Sequence, residues 1–446
     1  MKVKLTKWSQ TVENKFIVLI IILFSGFWGK AQQRFSLTEC IDYAYKQNFD
    51  VKLKELKSKQ SEYALEQSQK VIYPNVSGIF SQGINFGRSI DPFTNDFVQQ
   101  TISSNSFGAN ATITLFNGFL FKNQIIQNRY IAESDQVDII RAKNELRNRV
   151  TLAYMQVQVN IELAKIAQEQ IQNIQLQYSR VKALVSEGNM PKFNLIDLDA
   201  QLSSAEYEVL NSKNNIEISK HSLAQLIALP NFETFDIEND SIVETSIQLN
   251  DTYLQNILSS SYLQPIIKGS ELRLRGLITG VKLAEAAKYP TVSLGTGFGS
   301  AYSSIAGKEY NYFNQLGVNL NQFARLTINL PIYSNGQVKS RILNAQINRR
   351  IAETQLSQTK LQTKHEIEQA FFAAKIAQEK LRTSQRQVIS QQIAYDSGKD
   401  RYLEGLINAI DLNTFSINLK IAKSNLIQSK YEFYYRKTIL DYYSNW

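Results

Sequence analysis

Few residues in this sequence have the type or the spacing that chemistry requires. His221 and His365 are its two histidines. Each lies in a stretch patterned as helix, with no carboxylate or cysteine at metal-ligand spacing, so both read as solvated helix positions. Cys40 is the single cysteine, which excludes an intramolecular disulfide and a thiolate-held metal. Gly295 to Gly299 spell GTGFG, but a dinucleotide loop needs a further glycine opening a helix, and these glycines lie inside a segment that alternates like a strand. Gly307 and Lys308 lack the rest of a phosphate loop, because Tyr302 stands at its first glycine and Glu309 at its Ser or Thr. No nucleophile accompanies a base, and no H-E-x-x-H occurs. The expectation is a protein that is not an enzyme and uses no cofactor and no metal.

The informative positions are two glycines. Gly188 and Gly405 each follow a long run without Gly or Pro, residues 119–187 and 337–397. Each glycine occupies the place where a helix end favours a left-handed residue. Apolar side chains come soon after: Met190 and Phe193 follow Gly188, and Leu406 and Ile407 follow Gly405. The bland reading of both is a plain turn between two helices. The other reading is a partner surface, since a helix of that length reaches about 100 Å and leaves its tip far from any core.

The elements that carry these tips form a repeated unit of strand, long helix, tip and return helix. Tyr73-Pro74 recurs 216 residues on as Tyr289-Pro290, Asn117-Gly118 recurs 218 on as Asn335-Gly336, and Gly188 recurs 217 on as Gly405. The chain is therefore a tandem duplication of one module. In the second long helix Ala345, Ala352, Leu356, Ile367, Ala370, Ala374, Ala377, Leu381 and Val388 fall near multiples of the helical period. A narrow stripe of mostly small residues suits the wall of a helical assembly. Four segments alternate with period two. Val76, Phe80, Ile84 and Phe86 oppose Ser77, Ser81 and Asn85; Phe107, Ala109, Ala111, Ile113 and Leu115 oppose Asn110, Thr112 and Thr114. In the second repeat Val292, Leu294 and Phe298 oppose Ser293, Gly295 and Gly297, and Leu316, Val318, Leu320, Leu326, Ile328 and Leu330 oppose Asn319, Asn321, Arg325, Thr327 and Asn329. Such strands suit a membrane β-barrel with an apolar lipid face and a small or polar lumen. The long, polar, aromatic loops over residues 88–106 and 302–315 are expected outside the cell.

Charge adds little about partners. Lys and Arg exceed Asp and Glu by nine, but the first 31 residues hold five Lys and one Glu, which leaves +5 for the rest. That excess is scattered along amphipathic helices, so no nucleic-acid partner is expected. Lys2, Lys4 and Lys7 precede an apolar run at residues 16–28 and then Gly29-Lys30-Ala31, the pattern of a cleaved signal peptide. The run is short of the ~20 residues of a spanning helix. Residues 1–31 are thus read as a signal peptide, 32–230 as the first repeat, 231–250 as an acidic linker and 251–446 as the second repeat.

At this point the chain resembles the TolC-like outer-membrane efflux family. The resemblance rests on the duplicated plan, on YPNVSG and YPTVSL entering strands, on LFNG and PIYSNGQ entering the long helices, and on EGLINAIDL at the second tip. It implies a mainly α chain with a small β part, assembled as a homotrimer. Four strands per chain would close a 12-stranded β-barrel in outer-membrane lipid, continued by an α-helical barrel across the periplasm. It also implies that Gly188, Asn189, Met190, Gly405, Leu406 and Ile407 form tips that dock a periplasmic adaptor (membrane fusion) protein and an inner-membrane pump. Asp411 matches an aspartate that lines the closed entrance, while Thr414 replaces a second acidic position. Tyr402 and Asp197 match residues of an inter-hairpin lock, but Ile407 stands where the lock has an Arg. Small-molecule or drug efflux is the expected function, with protein secretion second. A pore-less periplasmic coiled-coil adaptor is the reading from another class, and it would need only one hairpin where this chain has two.

Overall fold

The computed structural model describes residues 33–91, 95–232, 235–238, 249–305 and 311–444. The expected signal peptide lies outside the described residues. Among these, the order is β1 (Gln33–Phe35), α1 (Leu37–Gln47), α2 (Phe49–Lys70), β2 (Asn75–Asn85), β3 (Arg88–Ile90), β4 (Phe97–Gln99), β5 (Ile102–Phe116), α3 (Leu120–Ser186) and α4 (Lys192–Leu226). Then follow β6 (Phe235–Ile237), α5 (Asp251–Ser260), α6 (Pro265–Glu285), β7 (Thr291–Ser303), α7 (Tyr312–Val318), β8 (Asn321–Asn329), α8 (Gln337–Leu403) and α9 (Ala409–Ser444). The two long helices, α3 and α8, are 67 residues each. No helix among the described residues is long and apolar enough to cross a membrane.

Two compact units emerge. One draws on the chain up to Lys52, on Lys143–Leu258 and on the chain from Ile367 onward; the other draws on Leu53–Ala142 and Ser259–Glu366. Each unit therefore takes residues from both repeats, and α3 and α8 contribute to both.

Among the described residues the first unit holds four buried apolar clusters, two of which are related by the repeat. One of these two buries Cys40, Val150, Tyr154, Val157 and Leu223; the other buries Ile257, Ile367, Phe371, Ala374 and Leu440. Each residue of the second set is 217 positions beyond its counterpart in the first, the spacing of the two tip glycines. The duplication thus fixes the packing as well as the element order. Ile367, Ala374 and Ala377 of the small-residue stripe are fully buried, but so is Phe371, a large residue that this stripe did not include.

Local chemistry explains the start of the first core. Ser36 caps α1 by accepting from the Glu39 amide at 3.3 Å, and the Glu39 carboxylate accepts from the Ser36 amide at 2.9 Å. This reciprocal box satisfies two otherwise orphaned amides. Of the expected linker, residues 235–237 form β6, which pairs in parallel with β1. Asp236 on β6 meets Lys220 at 2.9 Å, and Tyr154 donates to the Glu238 carbonyl at 3.0 Å. The acidic segment is therefore partly an ordered strand rather than only a connection.

The second unit holds a four-stranded antiparallel sheet in the order β2-β5-β7-β8. Beside it α6 approaches α3 closely: a Cβ on Gly269 would lie 3.6 Å from Val137, and one on Gly280 would lie 2.9 Å from the Gln127 side chain. The fourth strand begins at Asn321 and not, as the alternation suggested, near Leu316. Leu316 and Val318 belong to α7. Gln315 holds that helix against β7 as a surrogate strand, accepting from the Ser303 amide at 2.9 Å and donating to its carbonyl at 3.1 Å. The other expected loop contains the β3–β4 hairpin, so neither is plain loop.

Candidate functional site: an open sheet and two helical tips

The register assigns the two faces of the sheet. Val76 pairs with Ala111, Ala111 with Thr296, Leu294 with Leu326 and Val292 with Ile328, which collects the apolar positions on one side. Ser77, Asn110, Gly297 and Phe323 form a continuous row on the other, as do Thr112, Gly295 and Arg325. That second face is mostly small and polar, but it is not uniformly so, since Phe323 and Ile79 belong to it. A Cβ on Gly297 would lie 2.9 Å from the Phe323 ring, 2.5 Å from Asn110 Oδ1 and 2.7 Å from the Ala109 carbonyl. Gly297 is therefore small because the Ala109 carbonyl, Asn110 and the Phe323 ring together leave no room for a side chain, which alternation alone did not reveal. Gly108 is constrained in the same way, with the Phe298 carbonyl 2.9 Å from where its Cβ would sit.

The sheet does not close on itself. β2 and β8 each have one partner strand, so the outer edge of each is unpaired within the described residues. Val76, Phe80, Leu326 and Ile328 of the apolar face are all more than half exposed. With those four side chains exposed and both outer edges unpaired, the chain leaves sheet edges and a greasy surface to be covered by something else.

The two tips are built identically from backbone. Gly188 has φ +77° and Gly405 φ +76°. In the first tip the Gly188 amide donates to the Val185 carbonyl at 3.1 Å and the Asn189 amide to that of Leu184 at 2.9 Å; in the second Gly405 donates to Tyr402 at 3.1 Å and Leu406 to Arg401 at 2.8 Å. Both pairs of bonds close the last carbonyls of a long helix, and both need a residue at ease with positive φ. Leu406 and Phe193 are exposed, 65% and 68%, whereas Met190 and Ile407 are half-buried. Ile196, Leu403 and Ile410 beside the turns are exposed as well, so the apolar surface at the tips is made partly by residues of the flanking helix ends.

Asp411 lies in the first turn of α9, two residues after its start, and is exposed. Asn408 caps that helix by accepting from the Asp411 amide at 2.9 Å. An aspartate here also meets the positive end of the helix dipole. Asp197 accepts from Gln201 of its own helix at 2.9 Å, and no hydrogen bond among the described residues joins it to Tyr402. Polar links between the two hairpins occur elsewhere, on one face of α9. Ser416 donates to Gln170 at 3.2 Å, Lys420 pairs with Glu208, and Lys423 lies 3.3 Å from Glu169. The i, i+4, i+7 spacing of 416, 420 and 423 was visible in the sequence, but their partners, more than 200 positions away, were not. Below them Phe415 packs over Gly398, where a Cβ would sit 2.6 Å from the ring.

A family model described as outer membrane efflux protein matches residues 40–229 and 263–438 of this chain. The cation efflux system protein CusC of Escherichia coli (strain K12) is 20% identical over 292 residues, which are 64% of this chain and 61% of that protein. The chain thus matches about three fifths of the length of that curated relative. Among solved structures, CusC has a TM-score of 0.76 at 17% identity, covering 92% of this chain and 91% of that one. The CmeC outer membrane channel of Campylobacter jejuni has a TM-score of 0.76 at 18% identity, covering 92% and 85%. At these identities the likeness establishes a common fold.

Proposed function

Because this chain belongs to the outer membrane efflux protein family, whose members are channels and not enzymes, we propose that it is the exit duct of a tripartite export system. The observation that carries the proposal is the open four-stranded sheet with an exposed apolar face. In hydrocarbon each unpaired backbone group of an edge costs several kcal/mol, so a sheet with two free edges cannot stand alone in lipid. Two copies supply eight strands, whose interior side chains largely fill the barrel; three supply twelve and leave a passage. Three chains therefore share one barrel in the outer membrane, each lining it with the face that carries Ser77, Asn110, Gly295 and Arg325. The two hairpins of each chain continue the passage through the periplasm.

The tips then meet a periplasmic adaptor, which connects the duct to an inner-membrane pump that supplies the energy. Leu406 and Phe193 support this reading, being apolar and exposed at the ends of long helices. Asp411 occurs three times around the entrance and favours cations by concentrating negative potential there. The cargo is small molecules, a class that includes the cations in the name of the CusC relative. Native mass spectrometry of the detergent-solubilised protein tests the architecture: a trimer is expected, and a predominant monomer or dimer refutes the duct along with the barrel.

A further inference from the structure

One end of the sheet carries a charge imbalance that the channel reading does not use. The register brings the start of β2, the end of β5, the start of β7 and the end of β8 to the same side. Four connections leave the sheet there, and each exposes an aromatic ring: Tyr73, Phe119, Tyr289 and Tyr333, the last at 85%. Directly beyond the rings come Lys288 before β7, Lys122 in the first turn of α3, and Lys339 and Arg341 at the start of α8. All four cations are exposed, and none forms an ion pair with a described residue. The chain stretches that meet here, residues 71–90, 102–132, 286–305 and 311–352, contain no Asp or Glu at all. The carboxylates that bound these stretches on the helix side are Glu66, paired with Lys70 at 2.5 Å, Glu133, Glu285, and Glu353, paired with Arg349 at 3.2 Å.

The placement works against the isolated chain. The amino-terminal ends of α3 and α8 are already positive poles, where acidic residues are the stabilising choice. Neither helix has an acidic residue in its first turn, and both put a lysine there. Two helix poles and four unpaired cations therefore converge without a counter-charge. We infer that this end of the sheet is a binding belt for anionic phospholipid headgroups, with the aromatic rings at the headgroup level and Lys122, Lys288, Lys339 and Arg341 holding the phosphates. Rings followed by cations fit a layered partner that is apolar and then anionic, which a lipid leaflet is and a dissolved phosphate is not. The inference rests on the sheet being the membrane-spanning part.

The test uses the full-length protein in mixed phosphatidylcholine and phosphatidylglycerol bilayers, with the co-released lipid counted by native mass spectrometry. Each cation near an anionic surface is worth about 1 kcal/mol, roughly five-fold in binding, at low salt. Wild type is expected to retain phosphatidylglycerol in clear excess, and the excess to shrink as salt rises. The combined K122Q/K288Q/K339Q/R341Q variant is expected to lose at least ten-fold of that preference. K122R/K288R/K339R is expected to keep it, which separates charge from misfolding. Four neutralisations at the other helix ends, Lys182→Gln, Lys192→Gln, Lys399→Gln and Arg401→Gln, should leave it unchanged. Equal preference in the belt variant, or none in wild type, overturns the inference. If wild type remains in pure phosphatidylcholine vesicles through an alkaline wash but shows no preference, the lipid belt alone falls; if it washes off, the membrane-spanning sheet falls with it.

Discussion

Gly405 and Gly118 have nearly the same backbone, φ +76° and φ +65°, but different surroundings, and alanine at each separates conformational strain from crowding. At Gly405 a Cβ would meet nothing within 4 Å, so the cost of Gly405→Ala is the left-handed backbone alone, about 1–2 kcal/mol. The smaller freedom of alanine in the unfolded chain returns about 0.4–1 kcal/mol of that, leaving a net loss near 1 kcal/mol. At Gly118 the added carbon would lie 2.7 Å from the Ala286 carbonyl and 2.7 Å from Tyr289 Cβ, and neither is the end of a flexible side chain. Crowding of that kind adds about 1–3 kcal/mol, so Gly118→Ala is expected to cost about 2–4 kcal/mol net. Hydrogen exchange reads the first: the Gly405 and Leu406 amides close the tip, and in Gly405→Ala they should exchange roughly five-fold faster while the rest of the protein is unchanged. Circular dichroism melting in detergent reads the second, with Gly118→Ala lowering the transition and Gly405→Ala leaving it within error. Equal melting of the two variants, or a milder effect at Gly118, would refute the separation of strain from crowding.

Leu406→Asp should leave the protein folded and inserted while export fails; unchanged export together with unchanged crosslinking to a periplasmic partner would remove the tip from the docking surface. Asp411→Asn should reduce cation selectivity in single-channel recordings, and identical selectivity and divalent block with and without the carboxylate would place the selective ring elsewhere. Burial pushes the Cys40 thiol up from 9.0 to about 12. The folded form thus keeps its proton where the unfolded chain has lost it, so this group contributes stability below about pH 9 that is lost as pH rises toward 12. Maleimide should accordingly label Cys40 at pH 7 only after denaturation, and labelling of the native protein would contradict its burial. Phe371→Ala should cost about 3–5 kcal/mol in denaturant unfolding, because the ring is fully buried and its removal opens a cavity.

Much of this protein was determined locally and so was readable in order of sequence. The long helices follow from stretches without Gly or Pro, the tips from a glycine at the one place where a helix end favours positive φ, and most of the faces of β2 and β5 from an alternation broken at Ile79 and at the bulge between Thr114 and Phe116. The duplication made each of these inferences twice, and the 217-residue spacing carries through to the buried cores. Other features depended on which distant segments meet, and no local signal carries that. Leu316 and Val318 alternate like a strand but fold as α7, because Gln315 finds the backbone of Ser303 to bond. Gly297 reads as a small lumen residue until the Ala109 carbonyl and Asn110 of one neighbouring strand and Phe323 of the other are seen against it. Residues 235–237 read as linker until β1 supplies the hydrogen-bond partner they need. The Lys420–Glu208 and Lys423–Glu169 pairs, and the cations that gather at one end of the sheet, likewise arise from register and helix contact. Short-range chemistry fixes where a helix starts, stops and which side is apolar, whereas a contact across two hundred residues is chosen by the packing of the whole unit.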